Sequence, residues 1–442
     1  MIDVLIIIDN MYREYLNLNL LRKVFLRKKI NSKIVSKHLY EDAIRKYKPR
    51  SVIIPRLTPG FDKIFELSNK LNFKIYLLPC EHGASNRERI ISFLVGNKNK
   101  DNYDLKKFKN YSQIEKIFAP SETYKNICIN SNLFREEQLT VTGTLSSDFW
   151  FDEISEIIDS KKNKVSIGIA TSFKSTFFGL HFNSFLDGLL LTKRISDNDQ
   201  FNKSIQKKIS FHSFESLSFL NLLKIVEENP EVNFSWRLHP QENIKGAKLL
   251  VKKIPNLEIN RDIFPHNWIK EQSLILLYTS TMIFDSYFLR TPIISLINLI
   301  PKNIIDDLED TKKPLPTKQI FNPNSLGEII KIIKDKKFDH SYFTNKELML
   351  DESYKNFNFP RKKFASVEIL NEIIKKNEIR KRNLLIDIVV TFVDLFIGLK
   401  TIKAAYRINL INNQLDKLLN PVRIRDKLIV NQFLKKILKK IK

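Results

Sequence analysis

Short runs of apolar residues alternate with longer amphipathic stretches along the first part of the chain. The first run, at residues 4–8, precedes a helical stretch that extends to about Ile30. Continuous apolar runs of this length are typical of strands that are buried on both faces of a parallel sheet. The pattern therefore predicts an open parallel sheet covered by helices. Further strands are predicted at 33–35, 51–55, 74–78, 116–119 and 139–142, with helices at 41–47 and 62–71 between them.

The same alternation restarts after a polar linker at residues 159–164. A less regular pattern from Phe173 to His212 indicates an insertion of helices and loops. Because 442 residues exceed what one hydrophobic core usually serves, we expect an α/β chain of two Rossmann-like open-sheet domains, 1–158 and 165–355, facing an interdomain cleft. In the second half, strands are predicted at 165–170, 233–238, 274–278 and 293–296, with helices at 214–228 and 243–254.

The last part of the chain differs in charge from the rest. From Arg361 onward about 20 Lys and Arg stand against about 7 Asp and Glu, within a formal net charge of +25. The segment 361–442 is predicted to be a basic, helical tail. Between Val422 and Lys442 a helix would have one cationic and one apolar face, which suits an anionic membrane surface. The alternative is a solvated cationic face on a helix that packs against the second domain.

The composition also limits which cellular compartment and which cofactors we expect for this protein. Two cysteines in a chain of this length do not make a disulfide framework, and no Cys and His residues have zinc-site spacing. Residues 1–9 lack the basic region and cleavage site of a signal peptide. We therefore expect a cytoplasmic protein with no metal and no cofactor, which the tail would hold peripherally on the inner face of the cytoplasmic membrane.

A histidine followed by proline ends one strand of the predicted second domain. Arg237, His239, Pro240 and Glu242 belong to the segment RLHPQE, in which the proline fixes the chain as it leaves the sheet. An imidazole there can hydrogen-bond a phosphate and, when protonated, stabilise the charge that develops as a nucleotide leaves. Taken alone, the dipeptide is equally compatible with a structural role.

Hydroxyl side chains follow two other strands of the same domain. At a turn between a strand and a helix they either cap the helix or present donors to an anion. Asp285, in the helix after the second of these turns, either accepts from a ribose hydroxyl or favours the first helical turn through the macrodipole. The hydroxyl residues are Thr171 and Ser172 after the strand 165–170, and Thr279, Ser280 and Thr281 after the strand 274–278.

In the first domain, Glu81, His82 and Gly83 follow the strand 74–78. A carboxylate at this edge of the sheet can remove the proton from an acceptor hydroxyl, and a glycine allows close approach of a substrate. His82 either tunes Glu81 or is a polar loop residue, and Glu81 itself can be a loop glutamate with no task. Arg13, after the first strand, can bind an acceptor carboxylate or phosphate, although helix capping by the preceding polar residues explains this loop as well.

The motifs resemble, in this order, those of bacterial surface carbohydrate biosynthesis proteins, relatives of the capsule and lipopolysaccharide sialyl- and Kdo-transferases that use CMP-activated acidic sugars. The likeness covers roughly residues 1–350 and excludes the tail. Its elements are an Arg-Glu pair at Arg13 and Glu14, an acid-acid-Gly motif at 81–83, a Gly-Asn-Pro-Arg-x-Asp-like segment at 143–148, an Arg-x-His-Pro-x-Glu motif at 237–242 and a Ser/Thr-rich turn at 279–281.

The resemblance implies a GT-B-like fold and a metal-independent transfer from a nucleotide-sugar donor to a glycan or glycolipid acceptor. It makes Glu81 the base and brings His239 to the phosphate of the leaving CMP. Arg13, Glu14 and the residues at 82–83 then bind the acceptor. The sequence departs from the family at His82, where a second acid is usual, and in the segment at 143–148, which lacks the Pro and Arg.

Three alternatives stay open at this point. Teichoic-acid polyol-phosphate transferases, which use CDP-glycerol, resemble the same arrangement and also have His-Pro motifs. A transferase-like scaffold without activity would explain the altered motifs. A nucleic-acid-binding protein would explain the charge, but the basic residues concentrate in the tail and no aromatic RNA-binding motif accompanies them, so we expect no nucleic-acid partner.

Overall fold

In the computed structural model the chain forms two compact units. The first unit runs to Asp148 and includes the chain from Arg361 onward, and the second runs from Phe149 to Pro360. The structure describes residues 2–9, 11–57, 61–79, 87, 90–91, 94, 111–155, 165–171, 198–239, 242, 244–261, 265–278, 280–308, 320–376, 434 and 438.

A six-stranded parallel sheet forms the centre of the first unit. Its strands are β1 (Val4–Ile8), β2 (Ser32–Ser36), β3 (Ser51–Ile54), β4 (Lys74–Leu77), β5 (Ile114–Ala119) and β6 (Leu139–Val141). Their order across the sheet is β2-β1-β3-β4-β5-β6, so the chain moves to one side of β1 and then to the other. The carboxyl ends of β1 and β3 therefore form a topological switch point, where ligands of such sheets bind.

Helices with one apolar face cover this sheet. In the helix Tyr40–Tyr47 the buried residues are Tyr40, Ala43, Ile44 and Tyr47, which recur with the helical period and join the core of the unit. That helix ends where Lys48 takes the left-handed conformation, with φ of 45°. The helices of this unit are α1 (Met11–Arg27), α2 (Tyr40–Tyr47), α3 (Asp62–Leu71) and α4 (Glu122–Asn130), together with one near the carboxyl terminus described below.

The second unit has a five-stranded parallel sheet. Its strands are β7 (Ser166–Ala170), β8 (Asn233–Arg237), β9 (Leu257–Asn260), β10 (Leu274–Leu277) and β11 (Ile293–Ser295). They are arranged in the order β11-β10-β7-β8-β9, which puts the switch point between β7 and β10. Each unit is thus a Rossmann-like open sheet, as the sequence predicted.

The longest helix of the second unit begins earlier than expected. It was predicted from about residue 214, but it begins at Asn198, inside the region whose pattern was irregular. The helices of this unit are α5 (Asp152–Ser155), α6 (Asn198–Glu227), α7 (Ile244–Val251), α8 (Pro265–Glu271), α9 (Met282–Phe288), α10 (Lys302–Leu308), α11 (Leu326–Asp335), α12 (His340–Phe343) and α13 (Lys346–Phe357).

Aromatic packing explains why the division between the units falls before the predicted boundary at residue 158. Trp150 is 3% exposed, and its ring lies 4.8 Å from that of Phe288 and 5.2 Å from that of Phe357. Phe151 packs edge-on against Phe359 at 5.3 Å. Residues directly after Asp148 therefore belong to the core of the second unit.

Asp148 fixes the start of the helix that returns to the first unit, α14 (Ala365–Lys376). Its carboxylate accepts hydrogen bonds from the amides of Ala365 at 2.6 Å and Ser366 at 3.0 Å, and from Arg361 Nη2 at 2.7 Å. Arg361 also donates to the carbonyl of Thr142 at 2.6 Å. Burial raises the pKa of Asp148, while the guanidinium and the amides act to lower it. The segment at 143–148, which resembles a Gly-Asn-Pro-Arg-x-Asp motif, thus ends in a buried carboxylate that binds the protein itself.

Gly168 lies within β7, where α8 covers the strand. A Cβ at this position would lie 2.8 Å from Gln272 Cγ and 2.9 Å from the ring of Trp268. Trp268 is fully buried, and its indole donates to Ser235 Oγ at 3.0 Å. The glycine is therefore needed because α8 packs directly on the strand.

We expect Gly168→Ala to destabilise the second unit by about 1–3 kcal/mol, because the rigid indole must move to admit the methyl group. Urea unfolding followed by tryptophan fluorescence measures this change. Gly327→Ala is the matched control, since a Cβ there meets no atom closer than Ser325 Oγ at 3.9 Å. In the helix α11 this substitution should stabilise by about 0.5–1 kcal/mol. Equal effects of the two substitutions would contradict the packing argument.

Beyond residue 376, two residues of the basic tail are described, and both contact the rest of the chain. Leu434 is fully buried, and the carbonyl of Leu438 accepts a hydrogen bond from Arg27, at the end of α1. The rest of the helix predicted at 422–442 lies outside the described residues. These two contacts place part of the tail on the first unit, whereas the sequence offered the membrane or the second domain.

Candidate functional site

The carboxyl ends of three neighbouring strands meet at the switch point of the second sheet. Thr171 follows β7, Tyr278 follows β10, and His239 comes two residues after β8, which pairs with β7. The order of the strands therefore brings the predicted donor-side residues to one edge, although they are widely separated in sequence. This edge is the candidate site.

A buried glutamate organises the loop that carries His239. Glu242 is 1% exposed, and its Oε2 accepts from the amide of His239 at 2.6 Å. In return the amide of Glu242 donates to the carbonyl of His239 at 2.9 Å. Thr171 Oγ1 donates to Glu242 Oε1 at 3.1 Å and accepts from the indole of Trp236 at 2.7 Å. Thr171 and Glu242, both predicted to bind the donor, thus fix the backbone of the histidine.

Arg237 occupies the end of β8 and is also held by side chains of the protein. Its Nη1 donates to Asn260 Oδ1 at 2.8 Å, and its guanidinium lies 5.7 Å from the ring centre of Trp268. Arg261, after β9, donates to the carbonyl of Glu242 at 3.2 Å. Two cations therefore lie near the histidine loop on the side of β9, and they favour an anionic ligand at this edge.

The hydroxyl turn after β10 acts at least partly as a helix cap. Ser280 Oγ accepts from the amide of Met282 at 3.3 Å, whereas the side chain of Thr281 makes no capping hydrogen bond. Tyr278 is buried and donates to the carbonyl of Ser218 at 3.2 Å, which ties the end of β10 to α6. Burial raises the pKa of Tyr278 well above its usual value, so that this phenol stays protonated.

Asp285 has protein partners where the sequence suggested a ribose hydroxyl. Its Oδ1 accepts from the indole of Trp150 at 2.7 Å and lies 3.7 Å from Nε2 of His266. His266 is 3% exposed, and its ring lies 4.6 Å from that of Phe149. This arrangement anchors the first residues of the second unit on α8 and α9.

Glu14, predicted to bind the acceptor, is 2% exposed and accepts from the amide of Asp9 at 2.9 Å. It therefore fixes the turn between β1 and α1. Arg13 lies within α1, and its side chain is outside the described part of the structure. The remaining predicted site residues also lie outside the described residues, so their roles stay predictions; they are Glu81, His82, Gly83, Ser172, Pro240 and Thr279.

Several side chains around the histidine loop were missed in the sequence. Trp236 belongs to a predicted strand and Trp268 to a helix that was not predicted, and neither indicated a site. Asn260 ends a strand that was not predicted, and Arg261 follows it. The polar ending of β9 and its place after α7 are the signals that could have revealed the last two. The sequence contains no pattern that predicts the hydrogen bond from the indole of Trp236 to Thr171.

The described residues contain neither a helix that could span a membrane nor a cluster of metal ligands. None of the described helices is both long enough and apolar enough to cross a membrane. Within the same residues, no three or more His, Cys, Asp or Glu side chains are grouped as they would be to hold a metal ion.

Solved structures share the architecture of this chain, although no protein-family model and no curated protein sequence matches it. The wall teichoic acid polymerase TagF, after a soak with CDPG, matches with a TM-score of 0.50 and 12% identity, over 85% of this chain and 88% of that one. UDP-GlcNAc 2-epimerase from Neisseria meningitidis, bound to UDP-GlcNAc, matches with a TM-score of 0.46 and 13% identity, over 84% of this chain and 100% of that one. S. aureus MnaA, in a structure with UDP, matches with a TM-score of 0.44 and 13% identity, over 84% of this chain and 96% of that one.

At these identities the likeness is one of fold. The TagF match confirms the predicted fold class, a GT-B-like protein with two Rossmann-like open-sheet domains. Because one fold hosts many reactions, the reaction has to be argued from the site.

Proposed function

We propose that the chain is a nucleotide-sugar-dependent glycosyltransferase of surface polysaccharide biosynthesis, in the broad sense that includes transfer from other nucleotide-activated donors. The acceptor is a glycan or glycolipid hydroxyl. The observation that carries the proposal is the fixed backbone of His239 beside the switch point of the second sheet. Open α/β sheets bind their ligands there, and an imidazole on a fixed backbone is suited to contact a phosphate.

The surroundings of His239 support an anionic donor. Arg237 directly precedes its loop, Arg261 donates to the carbonyl of Glu242 within it, and the buried carboxylate of Glu242 binds the main chain of the histidine. Charged donors of this kind bind the oxygens of a diphosphate or phosphate about twice as strongly as neutral ones do. The site therefore favours a nucleotide phosphate over a neutral sugar.

The donor is a cytidine-activated compound in this proposal. With a CMP-activated acidic sugar, of the nonulosonate or Kdo type, the acceptor oxygen bonds to the anomeric carbon while the bond from that carbon to the phosphate oxygen breaks, and CMP is released. With CDP-glycerol the acceptor oxygen bonds to the phosphorus of the glycerol phosphate while the bond from that phosphorus to the oxygen of CMP breaks, and CMP is again released. The motif resemblance supports the first donor, and the CDPG-soaked TagF structure supports the second.

In both reactions the acceptor oxygen loses a proton and the departing phosphate gains negative charge. We assign proton removal to Glu81 and leaving-group stabilisation to His239. Both roles are met by side chains, so the proposed transfer needs no resident metal and no cofactor. Contact of the basic tail with an anionic membrane surface, through its lysines, is part of the same proposal.

Nucleotide release tests the reaction directly. The purified chain is incubated with CMP-sialic acid, CMP-Kdo, CDP-glycerol and UDP-GlcNAc, with and without EDTA, and free CMP and UDP are measured by chromatography. We expect CMP release from one of the cytidine donors, unchanged by EDTA. Release of UDP alone would contradict the cytidine assignment, and loss of activity with EDTA would contradict metal independence. If no nucleotide is released from any of the four donors, the inactive scaffold is favoured. In a separate titration, tight and salt-sensitive binding of an oligonucleotide would favour the nucleic-acid alternative.

A further inference from the structure

A row of charged residues crosses the switch point of the first sheet. Ile8 of β1 pairs with Ser36 of β2, and Ile6 pairs with Ile53 of β3, so the next positions along these strands are adjacent as well. The residues that follow in register are Lys37 after β2, Asp9 after β1 and Arg56 after β3. The three lie side by side at the carboxyl edge, where a ligand of this sheet would bind.

Asp9 holds the two cations in place. Its side chain is 4% exposed and forms ion pairs with Lys37 through Oδ1 and with Arg56 through Oδ2. Lys37 keeps 38% of its side chain exposed and Arg56 keeps 24%. A buried carboxylate between two partly exposed cations fixes their positions while part of each faces solvent.

Glu14 is the other acidic side chain of this turn. Glu14 accepts from the main-chain amide of Asp9 and is almost completely buried. A guanidinium carries five donors and an ammonium three, so Arg56 and Lys37 can bind a ligand while they remain paired with Asp9. Held in advance, such donors bind a planar or tetrahedral oxyanion at little cost in side-chain entropy.

We propose that Lys37 and Arg56 bind an oxyanion of the acceptor, a carboxylate or a phosphate on a sugar, with Asp9 as their positioning residue. None of these residues was recognised in the sequence, because they follow three different strands and no motif joins them. Only the description of the oxyanion as part of an acceptor rests on the proposed function. Binding to the first unit needs no donor and no turnover, so it is tested independently of the reaction.

Three ligands with one sugar ring and different charge test the proposal. The full chain is titrated with glucuronate, glucose 6-phosphate and neutral glucose, and binding is followed by ligand-detected NMR. We expect at least one of the two anions to bind more tightly than glucose, and the preferred one identifies the acceptor group. Lys37→Met and Arg56→Gln should each weaken its binding by about tenfold or more, as expected for a hydrogen bond to a charged group.

Arg135→Gln is the matched control, because Arg135 is an exposed arginine of the same unit that pairs with Glu137. Its binding curve should match that of the unchanged chain. Thermal unfolding reports whether Arg56→Gln keeps the fold, and Lys37→Met, which leaves the Arg56–Asp9 pair intact, provides the second test. Any one of three results would overturn the proposal. They are equal affinity for the three sugars, unchanged affinity of Lys37→Met for the preferred anion, and a loss of affinity in Arg135→Gln as large as in the other two variants.

Discussion

Replacing Asp148 with alanine is expected to lower the free energy of unfolding of the first unit by about 3–5 kcal/mol, since it leaves a buried guanidinium without its partner. The side chain of Asp148 is fully buried and that of Arg361 is 7% exposed. The substitution also removes the acceptor for the amides of Ala365 and Ser366, at the start of α14. Arg361→Met should have a similar effect, because it strands the carboxylate.

Two spectroscopic signals separate this effect from any change in the second unit. The three tryptophans of the chain, Trp150, Trp236 and Trp268, all belong to the second unit, so their fluorescence reports its unfolding. Far-ultraviolet circular dichroism reports the helices of both units. We expect Asp148→Ala to shift the dichroism transition to lower urea while the fluorescence transition stays in place.

A double variant and a surface pair provide the controls. Asp148→Ala combined with Arg361→Met should cost less than the sum of the single changes, because neither charge is then left alone. Asp152→Ala removes the exposed partner of Arg290 and should cost at most about 1 kcal/mol; the two side chains are 75% and 78% exposed. Additive single changes, or a loss with Asp152→Ala as large as with Asp148→Ala, would show that burial of the pair is not the cause.

Local patterns predicted every described strand except β9, and six of the helices, which are α1, α2, α3, α6, α7 and α9. The helix Asp62–Leu71 has the predicted bounds, and β1 and β10 are continuous apolar runs, as buried parallel strands should be. The strand β9 was missed because it has only four residues, Leu257–Asn260, although they alternate in polarity and follow the turn residues Pro255 and Asn256. Arg261, which directly follows β9, was for this reason not recognised as part of the site.

The contacts of the site could not be predicted, since they join distant parts of the chain. Glu242 was recognised by its place in a motif, but its bond from Thr171 comes from a strand 71 residues away. The bond from Trp150 to Asp285 spans 135 residues. The sequence does not indicate whether the carboxylate of an Asp or Glu binds a ligand or another part of the protein. Three acidic residues that were assigned to substrates have protein partners in the folded chain; they are Glu14, Glu242 and Asp285.

His239→Ala is expected to reduce the rate of CMP release by about 10²–10³-fold, the usual effect of removing one preorganised donor from a developing charge. The fold should persist, because the amide and carbonyl of residue 239 that bond Glu242 remain in the alanine variant. Steady-state kinetics with the active cytidine donor and thermal unfolding measure the two effects. The loss should fall on kcat more than on KM if the imidazole acts mainly in the transition state.

A histidine at the other end of the same sheet is the matched control. His340 lies beside Ser273 and Pro292, which directly precede β10 and β11, and its Nε2 is 3.0 Å from the carbonyl of Tyr287. His340→Gln retains a hydrogen-bond donor there and should leave CMP release unchanged. Full turnover by His239→Ala, or an equal loss in both variants, would remove His239 from the reaction.

The pH dependence distinguishes a charged imidazole from a neutral hydrogen-bond donor. A protonated His239 would stabilise the departing phosphate, so turnover should fall as rising pH removes the proton from this imidazole. In His239→Gln the amide still donates a hydrogen bond but does not titrate. We therefore expect this variant to be more active than His239→Ala and to lack the fall in turnover between about pH 6 and 8. A fall of the same size in His239→Gln would assign the titration to another group and leave His239 as a neutral donor to the phosphate.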